Sequence, residues 1–146
     1  MNNENKIIIY QVFTRLFGNN NNHCVYNGDI VTNGCGKMAD FTLKALSEIK
    51  KLGTTHIWYT GIIEHATQTD YRRYNISPDH PAIVKGKAGS PYAIKDYYDV
   101  DPDLANDIPE RMREFENLVR RTHRAGLKVI IDFVPNHVAR QYHSDA

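Results

Sequence analysis

Net charge, cysteine and long apolar runs are all scarce in this chain of 146 residues, and each scarcity excludes something. Lysine and arginine number 18 against 17 aspartates and glutamates. No basic field is therefore available to concentrate nucleic acid or anionic lipid, and neither partner is expected. Only two cysteines are present, Cys24 and Cys35. They are too few for a disulfide framework and lack the Cys-x-x-Cys or Cys/His spacing of a metal site, so free thiols are expected. The apolar run from Ile7 to Val12 follows a polar start (Met1, Asn2, Asn3, Glu4, Asn5, Lys6) and is interrupted by Tyr10 and Gln11. It is too short for the core of a signal peptide, and no other stretch approaches membrane-spanning length. A cytoplasmic location and no membrane partner are the expectation.

What is present reads as a folded domain: 41% apolar and 24% charged residues, without the low hydrophobicity and charge excess of disorder. Residues 6–13 are nearly continuously apolar and aromatic, which predicts a strand buried on both faces. The Asn- and Gly-rich residues 18–36 predict loop throughout, because these residues favour turns and left-handed backbone. From Met38 the spacing turns helical, with Met38, Phe41, Ala45, Leu46, Ile49 and Leu52 on one face and Gly53 as the stop. A β-branched and aromatic run, Thr55 to Thr60, follows as a second strand. A second helix is predicted from Pro109 in its first turn to Gly126, with Met112, Phe115, Leu118, Val119 and Thr122 on one face. Residues 127–134 then form a third buried strand.

Strand, helix, glycine, strand, occurring twice, predicts helical crossovers between parallel strands. Two α/β architectures are built this way, the open doubly wound sheet and the closed eight-stranded barrel. No Gly-x-Gly-x-x-Gly follows the first strand, so the barrel is preferred. An unrelated metal-dependent barrel hydrolase predicts His-x-His near strand one, which is absent.

In a parallel barrel the site lies at the C-terminal ends of the strands. The interval 61–106 is far longer than an ordinary connection and carries Tyr71, Tyr74, Tyr92, Tyr97 and Tyr98, too many aromatics for a solvated linker. A tyrosine offers a sugar an apolar face and a hydroxyl. Packing of the loop onto the barrel is the expectation for these rings, Tyr92 excepted. Past the third strand come Asp132, Asn136 and His137. A carboxylate at a strand end requires a cationic or hydrogen-bonding partner, His137 can bond a substrate oxygen, and the Asn136 carbonyl suits a hard cation. Taken singly, the three are equally a structural carboxylate and two loop-capping polar residues.

The run Val129-Ile130-Ile131-Asp132-Phe133-Val134-Pro135-Asn136-His137 is similar to the first signature region of the α-amylase family, Asp-x-x-x-Asn-His at the end of the third barrel strand. Ser90-Pro91-Tyr92-Ala93-Ile94-Lys95-Asp96-Tyr97-Tyr98-Asp99-Val100-Asp101-Pro102 resembles the family's segment after the second strand, and residues 8–17 resemble its opening strand. The resemblance implies the N-terminal part of a (β/α)8 barrel with a long loop after the second strand. On that reading residues 1–146 form an incomplete catalytic barrel domain of about three strand-helix units. It further implies that His137 contacts the sugar just before the scissile bond and Tyr92 stacks beneath it. Asp132 holds an arginine from a later strand, and Asn136 matches a position that binds calcium in many amylases. Several exo-acting relatives carry an aspartate three positions before the stacking tyrosine; Gly89 stands there, which argues against an exo-type pocket.

In this family the catalytic carboxylates follow the fourth and fifth strands, with a third acid after the seventh, so none is expected in this chain. Asp96, Asp99 and Asp101 read as turn and capping residues. His56, His65, His80, His123 and His143 match no motif and read as surface or core histidines. The function implied is a fragment of a retaining glycosidase acting on α-linked glucans or maltooligosaccharides, inactive without the missing barrel portion. The alternative is a catalytically inactive, barrel-like carbohydrate-binding or transporter-associated subunit.

Overall fold

The computed structural model describes residues 6–144; the polar residues 1–5, on which part of the leader reading rests, lie outside them. Three parallel strands form the central sheet, β1 (Ile9–Phe13), β2 (His56–Thr60) and β5 (Lys128–Ile131), in the order β1-β2-β5. Gln11 pairs with Trp58 and Trp58 with Ile130, so these three residues form one cross-sheet row. Helix α2 (Leu43–Lys51) links β1 to β2, and α3 (Arg111–Arg124) lies between β2 and β5. The two strand-helix-strand units read from the sequence are thus present, in parallel pairing.

Both helices form where the pattern predicts, each shorter than the predicted span. α2 begins at Leu43 rather than Met38, because the Thr42 hydroxyl accepts the Ala45 N–H at 3.2 Å. Met38–Asp40 is instead a separate 3-10 turn in which the Asp40 carboxylate accepts the Lys37 N–H at 2.7 Å. Gly53, with φ +84, ends the α2 turn as a residue with Cβ could not do without strain. Leu46 and Ile49 of α2 and Leu118 of α3 meet Ile57 and Tyr59 of β2 in one core, joined by Met38, Phe41, Leu104 and Leu127. Inside it the Tyr59 hydroxyl pairs with Thr122 Oγ1 at 2.6 Å, which gives the buried phenol the partner it needs.

Three expectations need correction. β1 is not buried on both faces: Tyr10 and Val12 pack on the helices, whereas Ile9 is 49% exposed and Gln11 faces away from the core. Only one face of a three-stranded sheet is covered here, so the alternation of a half-buried sheet appears. Residues 18–36 are not all loop, since Asp29 accepts the Thr32 N–H at 2.8 Å and starts a one-turn helix, α1 (Ile30–Asn33). β5 is shorter and less buried than expected: it spans Lys128–Ile131 with both end residues exposed, leaving Asp132 just outside the ladder.

The interval 61–106 is ordered by an antiparallel pair, β3 (Ile63–His65) and β4 (Ile94–Val100), and by short 3-10 turns. Tyr71 is buried, Tyr74 packs on it, and Tyr97 packs on Phe133 and Tyr142, as expected of loop-anchoring rings; Tyr98 is exposed. Cys24 and Cys35 are free thiols. Among the described residues no helix is long and apolar enough to cross a membrane.

Candidate functional site

A cleft of about 430 Å³ opens toward the C-terminal ends of β1 and β2, lined by Gln11, Phe13, Thr60, Pro91 and Tyr92. The Gln11 amide donates from Nε2 to Thr60 Oγ1 at 3.0 Å, leaving its Oε1 and the Thr60 hydroxyl proton for a ligand. The Tyr92 ring is 47% exposed at the rim. A turn sets it there, with the Ala93 N–H donating to Ser90 O at 2.9 Å. Tyr92 was picked out from sequence; Gln11 and Thr60 were not, although a glutamine inside an apolar strand was a visible signal.

Asp132 meets the need for a partner with two hydrogen bonds from β2 and its exit. Trp58 Nε1–H donates to one carboxylate oxygen and the Gly61 N–H to the other, the latter at 3.0 Å. Gly61 has φ +79, and a Cβ there would stand 3.0 Å from the Phe13 ring and 3.1 Å from Pro91. The same glycine therefore touches Asp132 and two walls of the Tyr92 cleft.

Asn136 and His137 are exposed, with Asn136 Nδ2 at 3.2 Å from His137 Nδ1. Their segment is laid along β4: the Tyr97 hydroxyl donates to Val134 O, and the Ala139 N–H donates to Ile94 O at 2.7 Å. The structure thus joins Asp132 to the Tyr92 cleft through Gly61, while His137 is not among the residues lining that cleft. Among the described residues no group of three or more His, Cys, Asp or Glu side chains is placed to hold a metal. Asn136 offers one exposed carbonyl, short of the six or more oxygens calcium takes, and the sugar contacts of the cleft do not depend on it.

A larger hollow, about 580 Å³, lies between the Asn-rich segment and residues 68–70 and 87–88, with Arg15 and Asp103 on its wall. Several of its polar groups are engaged: Asn19 and Asn21 bond Asn33 O and Thr32 O, and Arg15 pairs with Asp103. It also lies away from the sheet row of Gln11 and Trp58, so the smaller cleft is the better site. Asp96 and Asp101 accept the N–H groups of Tyr98 and Asp103, as turn and capping residues do, whereas Asp99 pairs with Arg111. His65 is a core histidine, with Nε2 at 3.2 Å from Ala88 O and 3.5 Å from Asp101.

The buried carboxylates Asp101 and Asp103 share one guanidinium unequally. Burial raises the pKa of Asp101 from its ordinary value; His65 opposes this, and neighbouring Asp103 adds to it. Burial also works against ionised Asp103, but Arg15, in direct contact, and the Tyr71 hydroxyl outweigh it and hold Asp103 low. Asp103 contributes stability that is present above the unfolded carboxylate pKa of about 3.9 and is lost as pH falls through its lowered folded value. Asp101 contributes stability below that unfolded value and loses it as pH rises through its raised folded value. Thermal melts from acid to neutral pH are expected to show a weaker fall of stability on the neutral side in Asp101→Asn than in the wild-type chain. An unchanged slope would count against a raised Asp101 pKa.

Residues 11–145 match the family described as "Alpha amylase, catalytic domain". The chain is 28% identical over 132 residues to Alpha-amylase 2 of Dictyoglomus thermophilum, covering 90% of this chain and 19% of that protein. A shorter stretch of 51 residues is 43% identical to the amino acid transporter heavy chain SLC3A1 of Rattus norvegicus, covering 35% of this chain and 7% of that one. Among solved structures, trehalose-6-phosphate hydrolase of Bacillus licheniformis superposes with a TM-score of 0.59 at 26% identity, over 94% of this chain and 18% of that one. The chain therefore spans less than a fifth of the length of each of these proteins.

Proposed function

Because the chain belongs to the α-amylase catalytic-domain family, glycoside hydrolase family 13, we propose that it forms the first strands of a (β/α)8 barrel and one wall of a cleft for α-linked glucans or maltooligosaccharides. The observation that carries this is the exposed Tyr92 ring beside the Gln11–Thr60 pair at the strand ends. The ring takes the C–H face of a glucose unit, and the Gln11 carbonyl and Thr60 hydroxyl bond its oxygens. Asp132, fixed to β2, organises the wall, and His137 contacts the same sugar in the completed cleft. Asn136 is a calcium ligand in this proposal only where further oxygens join it.

Retaining cleavage needs two carboxyl groups about 5 to 5.5 Å apart, one as nucleophile and one as acid. The carboxylates of this chain that invite the role are committed elsewhere: Asp99 to Arg111, Asp103 to Arg15, Asp132 to Trp58 and Gly61. As a polypeptide of 146 residues the chain is therefore proposed to bind sugar without hydrolysing it. Maltose titrated into the chain is expected to perturb Tyr92, and Tyr92→Ala to weaken binding about tenfold, the effect of losing a stacked ring worth about 1.4 kcal/mol. Sugar bound away from Tyr92, or maltose released from maltooligosaccharide by the purified chain, overturns the reading.

The match to a transporter heavy chain favours a second reading, a barrel-like subunit that does not cleave sugar. Failure of maltose to bind at all would favour it.

A further inference from the structure

The sequence contains one tryptophan, and the structure gives its indole a task the motif did not reveal. Trp58 stands in the middle of β2, between Gln11 of β1 and Ile130 of β5. Its Nε1–H donates to Asp132 just beyond β5, while Gly61, three residues further along the same chain segment, donates its backbone N–H to the other carboxylate oxygen at 3.0 Å. Two donors, one from the middle of β2 and one just past its end, each taking a separate oxygen, fix both the position and the plane of the carboxylate. One donor alone would leave it free to rotate.

The consequence extends to the cleft. Trp58 neighbours Gln11, which lines the cleft, and Gly61 lies within van der Waals reach of Phe13 and Pro91, which line it as well. Asp132 is linked through Gly61 to Phe13 and to Pro91, the neighbour of Tyr92. We infer that Trp58 is a positioning residue: its indole N–H clamps Asp132 and thereby sets the Tyr92 wall of the cleft. The functional half of this inference rests on the proposed sugar-binding reading; the clamp itself does not.

Because the tryptophan is unique, the indole signal in a 1H–15N correlation spectrum of the full chain belongs to Trp58 without further assignment. It is expected downfield of a free indole and slow to exchange with solvent, and Asp132→Ala is expected to return it to the free-indole position with fast exchange. Trp58→Phe keeps an aromatic ring and removes the donor. With far-UV circular dichroism unchanged, it is expected to weaken maltose binding about tenfold, the usual effect of losing a hydrogen bond to a charged group. Asp132→Asn, which keeps an acceptor for one of the two donors, is expected to retain part of both the indole shift and the affinity. A free-indole signal in the wild-type chain, or a signal indifferent to Asp132→Ala, overturns the clamp. A Trp58→Phe chain that binds maltose as tightly as wild type overturns the positioning role. A clamped indole in a chain that binds no maltose supports the clamp and overturns the sugar reading instead, so the two failures are distinct.

Discussion

Gly89→Asp is expected to lower the melting temperature by about 10 to 20 °C. Gly89 has φ +76, and a Cβ there would stand 1.8 Å from the Ala66 carbonyl oxygen and 3.0 Å from its carbon. Neither side can yield cheaply. Ala66 is held by its N–H bond to Ala93 O at 3.0 Å, and the Gly89 N–H is tied to Lys85 O at 3.1 Å. Left-handed strain costs about 1–3 kcal/mol and forced overpacking about the same again. By the family resemblance, this is the position where several exo-acting relatives carry an aspartate. The backbone around Gly89 leaves no room for that side chain. A thermal melt by circular dichroism checks it; a melting temperature within about 2 °C of wild type would show that the Ala66 segment moves aside and that the argument fails.

Arg15→Ala is expected to cost about 3–5 kcal/mol, the usual price of leaving buried carboxylates without their cation. The Arg15 side chain is 12% exposed and sits between Asp103, which it contacts directly, and Asp101 at 3.6 Å, both fully buried. Among the described residues His65, at 3.5 Å, is the basic side chain left beside Asp101 once Arg15 is gone. The network also joins distant parts of the chain, since Arg15 follows β1 and the two aspartates follow β4, with Tyr71 donating to Asp103 at 2.7 Å. Loss of the cation therefore releases the long interval from the sheet. In urea unfolding the midpoint is expected to fall in Arg15→Ala and to recover in part in Arg15→Ala/Asp103→Asn, where one charge of each sign is removed. A double variant no more stable than the single one would show that the loss was packing by the arginine stem rather than unpaired charge.

What the sequence determined by itself was whatever repeats over a few neighbouring residues. The helical face through Leu46 and Ile49, the stop at Gly53, the aromatic strand at Trp58 and Tyr59, and the Asp132 to His137 motif each depend on local spacing, and they sufficed for the parallel units and the family. The sequence also singled out Tyr92 and the need of Asp132 for a hydrogen-bonding partner. It left open who their partners are, because those lie far along the chain: Gln11 bonds Thr60 across 49 residues, Trp58 reaches Asp132 across 74, and Arg15 reaches Asp103 across 88. The α1 turn and the β3–β4 pairing escaped for a related reason, since one capping aspartate and a bulged antiparallel register are weak against a background of asparagine and tyrosine. Local pattern decides which segments become strands and helices, because backbone propensity and one-sided burial are local quantities. Only the folded sheet, by bringing β1, β2 and β5 into register, decided that the motif's carboxylate is clamped by the one tryptophan and that the cleft beside it is walled by Gln11, Thr60 and Tyr92.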